Sequence, residues 1–154
     1  MPFEVTKAKA EDAAAISELL NHYAQKRIVL PRTPQDILDY LPNFMVARNS
    51  EDGTLVGSVA LRDFGDGLNE IRSLAVREEC HNHGVGGKLV EAALELARQR
   101  GVSRVFALTL RPDFFAAHGF SQVSMDNFPQ KVWADCRLCP KRDKCDEIAM
   151  QFLL

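Results

Sequence analysis

Three glycines fall within the four residues Gly84-Val85-Gly86-Gly87, between an apolar run and an amphipathic one, and that order restricts the fold. Upstream lies Glu70-Ile71-Arg72-Ser73-Leu74-Ala75-Val76, which reads as a strand, then the polar turn Arg77-Glu78-Glu79-Cys80-His81-Asn82-His83. Downstream, Lys88 to Arg100 carries helical apolar spacing and stops at Gly101. The backbone N–H groups of a first helical turn have no intrahelical partner, and the helix dipole adds partial positive charge there. Glycines let a phosphate approach that backbone closely. The stretch is therefore expected to hold the pyrophosphate of a nucleotide-like cofactor. A Rossmann site is a poor match, since G-x-G-x-x-G spacing is missing and hairpin-linked strands precede the loop. A P-loop is equally poor: Leu89 stands where its Ser or Thr belongs.

The chain of 154 residues predicts a single domain, 1–154, with one sizeable core. Its net charge of −2 gives no global basic field, so no nucleic-acid partner is expected. No apolar run reaches the length of a membrane span, and Met1-Pro2-Phe3-Glu4-Val5 lacks the pattern of a signal peptide, so no membrane partner and a cytoplasmic location are expected. In that compartment four cysteines read as thiols or metal ligands before disulfides.

Taken in order, Phe3 to Lys9 predicts a strand and Ala10 to about Lys26 a helix with Ala14, Ile16, Leu19, Leu20 and Tyr23 at helical spacing. Thr33 is placed to cap a short helix, with Pro34 at its first position and Asp36 in its first turn. Strands follow at Phe44 to Arg48 and Leu55 to Arg62, joined at Glu51-Asp52-Gly53-Thr54, and Gly65-Asp66-Gly67 turns into the strand ending at Val76. Beyond the central helix come a strand from Ser103 to Leu110, a short helix from Pro112 to Ala117 closed by His118-Gly119, and a strand from Phe120 to Met125. An irregular cysteine-containing segment, 126–146, precedes a last strand, Glu147 to Leu154. The class is α+β: a mixed, mostly antiparallel sheet flanked by helices.

His81-Asn82-His83-Gly84-Val85-Gly86 after Leu74-Ala75-Val76 resembles the acyl-CoA loop, Gln/Arg-x-x-Gly-x-Gly/Ala, of the GCN5-related N-acetyltransferases, with His81 in the first place. Phe114-Phe115-Ala116-Ala117-His118-Gly119-Phe120 resembles that family's short helix and Gly-Phe turn. More narrowly, Glu70 to Val76, Val105-Phe106-Ala107-Leu108-Thr109, Phe114-Phe115 and Phe128-Pro129-Gln130-Lys131-Val132-Trp133 are similar to the acetyltransferase domain of the N-acetylglutamate synthases. The resemblance implies a GNAT-like sheet with a splayed strand pair at the acyl-CoA site, acetyl-CoA as cosubstrate, and acetylation of the α-amine of L-glutamate, the first step of arginine synthesis. It implies a short form without an amino-acid-kinase domain.

Acetyl transfer to an amine needs a neutral nucleophile, a polarised carbonyl and a route for the proton. Glu70, on the strand leading into the loop, suits a base, and the resemblance puts the synthases' base there; its rival reading is a solvated strand end. Thr109 is the hydroxyl available to protonate the thiolate, or else it satisfies backbone at a strand end; Tyr23 and Tyr40 are far away in sequence. The carbonyl oxygen needs a donor as charge develops, and the resemblance implies a backbone N–H of Leu74, Ala75 or Val76 for it; Gly84, Gly86, Gly87 and Lys88 are expected to face the phosphates. His81 and His83 either touch phosphate or are solvated. Arg72, Arg111 and Lys131 are candidates for a substrate carboxylate, with an ion pair to Glu70 the rival for Arg72. Cys136, Cys139 and Cys145 invite a zinc reading, lacking a fourth ligand unless Cys80 or a His supplies it; free thiols are the alternative. The expected partner is a small-molecule amine, glutamate first, with homodimerisation open. The competing classes are a transferase for another small amine or a peptide, and a non-catalytic CoA-binding interaction domain.

Overall fold

The computed structural model of the chain describes residues 1–26, 31–124, 128 and 147–154. These form two compact units, Met1–Arg62 with Ile71–Leu96, and Asp63–Glu70 with Ala97–Leu154. The strands are β1 (Phe3–Lys7), β2 (Phe44–Asn49), β3 (Leu55–Asp63), β4 (Leu68–Val76), β5 (Arg104–Thr109), β6 (Ser121–Val123) and β7 (Ile148–Leu153). They make one mostly antiparallel sheet in the order β1-β2-β3-β4-β5-β7-β6. The helices are α1 (Ala13–Ala24), α2 (Pro34–Asp39), α3 (Val85–Gln99) and α4 (Pro112–Ala117). Among the described residues no helix is long and apolar enough to cross a membrane.

In the first unit β2 pairs antiparallel with β1 and with β3. The apolar stripe of α1, Ala13, Ile16, Leu19, Leu20 and Tyr23, recurs at steps of three and four and so falls on one face. It packs with Ile37, Phe44, Val46, Leu55, Ala60 and Ala75 in a single core. Thr33 caps α2 as expected, its hydroxyl accepting from the Asp36 N–H at 3.1 Å with Pro34 at the first position. Val85, Leu89, Val90, Ala93 and Leu94 give α3 its buried side.

In the second unit Leu68–Glu70 of β4 runs parallel to Arg104–Phe106 of β5, and the ladder ends at Glu70 opposite Phe106, as a splayed pair requires. From Arg104 to Thr109, β5 is antiparallel to β7, which also pairs with β6. Leu68, Phe106, Phe128 and Ala149 form this unit's core, with Phe106 stacked on Phe128 at 4.1 Å. Several boundaries differ from expectation by a few residues: β1 ends at Lys7, α1 spans Ala13–Ala24 and β5 spans Arg104–Thr109. α3 begins at Val85 rather than Lys88, because the turn is completed at Gly84, φ +80°. β6 is confined to Ser121–Val123: Phe120 turns inward and is buried, and Met125 lies outside the described residues.

Asp12, 5% exposed, joins the entry of α1 to the sheet. Its carboxylate accepts from the Lys9 N–H at 2.7 Å and from the Arg48 guanidinium. Burial by itself would raise the pKa of this group; the bonds from Arg48 and Lys9 outweigh it and hold the carboxyl below its ordinary value. A depressed carboxylate contributes stability that is present above the unfolded pKa and lost as pH falls through the folded one. Asp12→Asn is expected to cost about 2 kcal/mol at pH 7. In urea unfolding, the gap to the parent should close as pH drops below about 4.

Candidate active site

The loop in the first unit has the geometry of an anion cradle. β4 ends at Val76, a short turn occupies Glu78–Cys80, and α3 starts at Val85. The first helical bond runs from the Lys88 N–H to the Gly84 carbonyl at 3.2 Å, so the N–H groups of Val85, Gly86 and Gly87 precede the intrahelical ladder. Gly84 is exposed, and a Cβ built on it would meet nothing within 4 Å, leaving open approach to those amides. Val85 points inward and is buried, as expected. Lys88 is exposed, with Nζ 3.4 Å from Glu91. The donor set, backbone N–H groups beside one lysine, fits a diphosphate.

His81 is exposed, in keeping with a solvated turn, and it also makes protein contacts that neither sequence reading contained. Its Nε2 lies 2.9 Å from the Val76 carbonyl oxygen and 3.0 Å from the Tyr23 hydroxyl, so protein groups engage it. Tyr23 also donates to the Val76 carbonyl. Asn82 follows at φ +69°, a left-handed residue that Asn tolerates better than most side chains.

Further back on β4, Ser73 adopts φ +53° inside the strand. Its carbonyl accepts from Ser58 Oγ at 2.9 Å, and a guanidinium nitrogen of Arg32 lies 3.5 Å from its hydroxyl. Arg32 was missed in the sequence. It is mostly covered, paired with Asp36 at 2.7 Å, and its guanidinium carbon lies 4.9 Å from the Phe44 ring centroid and 5.8 Å from that of Tyr40. Leu74, Ala75 and Val76 follow Ser73, and Arg72 precedes it, half-buried.

In the second unit Glu70 lies within β4 rather than at a strand end, and it is 3% exposed. Its register partner is Phe106. Asn69 beside it is also buried; its amide donates to Asp63 at 3.3 Å, while its Oδ1 lacks a partner among the described residues. Thr109 is buried and its Oγ1 accepts from the Arg111 N–H at 2.8 Å, the backbone-satisfying role, with the hydroxyl's own proton not used in that bond. Arg111 is 76% exposed, 3.7 Å from Asp113. Lys131, Cys136, Cys139 and Cys145 lie outside the described residues. Cys80 is a buried free thiol, and among the described residues no group of three or more His, Cys, Asp or Glu could hold a metal.

A model of the Acetyltransferase (GNAT) family matches residues 13–123. An uncharacterized N-acetyltransferase of Chlorobaculum tepidum is 43% identical over 146 residues, covering 95% of this chain and 93% of that protein. The amino-acid acetyltransferase of Mycobacterium tuberculosis is 36% identical over 120 residues, 77% of this chain and 68% of that one. Among solved structures, N-acetylglutamate synthase from Neisseria gonorrhoeae, complexed with coenzyme A and N-acetyl-glutamate, superposes with a TM-score of 0.87 at 26% identity. All of this chain is covered, but it spans only 35% of that synthase.

Close packing beneath the cradle depends on Gly57 of β3. A Cβ there would stand 2.9 Å from Leu89 Cδ1, 3.1 Å from the Ala75 carbonyl and 3.3 Å from Val85 Cγ1. The leucine methyl can swing away; the carbonyl of β4 and the first residue of α3 cannot do so without moving the loop. Gly57→Ala is expected to cost about 1–3 kcal/mol in urea unfolding and to weaken coenzyme A binding by calorimetry in the fraction that folds.

Proposed function

We propose, since this chain belongs to the GNAT family of acetyltransferases, that its acceptor is the α-amine of L-glutamate and its product N-acetylglutamate. The observation supporting this most strongly is the likeness of the whole of this chain to part of an N-acetylglutamate synthase that was complexed with coenzyme A and N-acetyl-glutamate. The 36% identity to an amino-acid acetyltransferase points the same way. In this reading residues 1–154 act as one transferase domain, and arginine biosynthesis in the cytoplasm is its setting. Homodimerisation is compatible with the reading but not required by it.

Acetyl-CoA supplies an activated acetyl group as a thioester. In the proposed reaction the amide N–H groups of Gly84 to Gly87, beside the Lys88 side chain, bind its diphosphate, and a backbone N–H of Leu74, Ala75 or Val76 bonds the carbonyl oxygen as charge develops there. Glu70 accepts the proton of the α-ammonium, freeing the lone pair for attack. The new C–N bond forms and the C–S bond breaks; Thr109 gives its hydroxyl proton to the departing sulfur and takes the second proton that the nitrogen sheds on becoming an amide, while Glu70 releases the first to solvent. Arg32 joins the candidate cations for a substrate carboxylate. Two aromatic rings hold its guanidinium, and it reaches Ser73 on the strand that carries Glu70.

Thiol release from acetyl-CoA, measured against a panel of amino acids, polyamines and peptides, tests the acceptor. Glutamate is expected to give the highest kcat/KM; turnover of other amines with none on glutamate would refute the assignment. Glu70→Gln is expected to lower kcat by about 10²–10³-fold with little change in coenzyme A affinity. Arg32→Met should instead raise KM for glutamate by about tenfold or more.

A further inference from the structure

Tyr23 and His81 take no part in the chemistry above, yet they meet on one atom. The Val76 carbonyl, last in β4, lies 2.9 Å from His81 Nε2 and also accepts from the Tyr23 hydroxyl, while the two side chains stand 3.0 Å apart. This geometry fixes the imidazole tautomer. A bare Nε2 lone pair 2.9 Å from a carbonyl oxygen would be repelled, so Nε2 carries the proton and shares it between the carbonyl and the tyrosine oxygen. Tyr23 then spends its own proton on the carbonyl. Both lone pairs of that oxygen are engaged, and the last peptide of β4 is held from two directions.

Neighbouring contacts reinforce the hold. The Arg77 N–H donates to the Val56 carbonyl at 2.8 Å, so the peptide after Val76 is tied to β3. Glu78 accepts from Lys26 and from His22 at 3.1 Å, both from the end of α1 or just beyond it. Burial, together with Glu78 and Glu79, raises the Tyr23 pKa, which keeps the hydroxyl a donor throughout the neutral range. The end of α1 therefore grips the start of the turn whose far end is Gly84.

We propose that Tyr23 and His81 are positioning residues for coenzyme A: by saturating the Val76 carbonyl they hold the turn in the shape that presents the amides of Gly84 to Gly87. This rests on the reading of that loop as the diphosphate site. A cradle held before binding loses less freedom on binding, and the gain belongs to coenzyme affinity rather than to the chemical step. It also gives a reason for an imidazole at the head of the loop, since Nε2–H reaches back to both partners.

Calorimetry with coenzyme A alone tests the proposal without reference to any acceptor. Tyr23→Phe and His81→Ala are each expected to raise Kd by about five- to tenfold, through the loss of one of the two donors to the Val76 carbonyl. KM for acetyl-CoA should rise in step, with kcat and KM for the amine unchanged. Because both side chains act on one oxygen, the double variant should weaken binding by other than the product of the single effects. His81→Gln, which keeps an N–H donor, should recover much of the affinity. His81 is exposed, so its variants carry the test even if Tyr23→Phe unfolds, and thermal unfolding checks this. Unchanged Kd in folded variants, or effects on kcat instead of KM for acetyl-CoA, would overturn the proposal. A parent protein that binds no coenzyme A at all would overturn the loop reading, and the pair's role with it.

Discussion

A non-glycine residue with left-handed backbone inside a strand costs about 1–2 kcal/mol, and the chain accepts that cost at Ser73. Ser58 on β3 meets the cost with a hydrogen bond to the Ser73 carbonyl, and the arginine that approaches its hydroxyl closes the other side. The consequence is a change of direction for peptide groups along β4. Up to Glu70 the strand behaves as an ordinary ladder partner of β5. After Ser73 it runs Leu74-Ala75-Val76 toward the loop, with Gly57 packed against the Ala75 carbonyl. In the proposed reaction Glu70 and the main-chain donors of Leu74 to Val76 share this one strand, with Ser73 between them.

Recognition through main-chain amides, as proposed for the loop, would free the loop's side chains from any single identity. The positions that matter are those where a side chain would obstruct the approach or where the backbone turns left-handed. Gly84 meets the first condition and the second, while Asn82 meets the second with a side chain that bears the strain. His81 shows the same freedom at the head of the loop, where a partner 58 residues away in sequence, Tyr23, supplies its hydrogen bond.

Local chemistry was legible in the sequence where neighbours in the chain decide it. The Thr33 cap needs only Pro34 and Asp36 nearby; the α3 stripe needs only its own spacing; the glycine loop announces its helix. The fold class followed from those elements and their order, and the wider likeness to acetyltransferases from the loop and the Gly119-Phe120 turn. What escaped depends on pairs distant in sequence. Nothing near Tyr23 indicates that it binds the Val76 carbonyl, and nothing near Ser73 indicates its left-handed backbone, since serine has no special preference for it. Gly57 looked like an ordinary strand residue because what it avoids, Leu89 and Ala75, arrives from other elements. Glu70 was expected to begin its strand, whereas the strand starts at Leu68 and encloses it. Arg32 was hidden by abundance: surface arginines are common, and only the two rings and Ser73 distinguish this one.

That distinction bears on how an acceptor with carboxylates would be chosen. An arginine as exposed as Arg111, at 76%, gives a carboxylate little that water does not already give. Arg32 is different in three respects. Its guanidinium is largely covered, so a bond to it is stronger than one made in water. Phe44 and Tyr40 flank its plane, so little conformational freedom remains to be lost on binding. Asp36 takes Nε at one edge, leaving the donors of the terminal nitrogens, one of them already turned toward Ser73. In the proposed reaction an amine lacking a carboxylate would forgo the bonds to those terminal nitrogens, while Asp36 still pairs with Nε. Selectivity of this kind comes from the penalty on the wrong acceptor as much as from the bond to the right one.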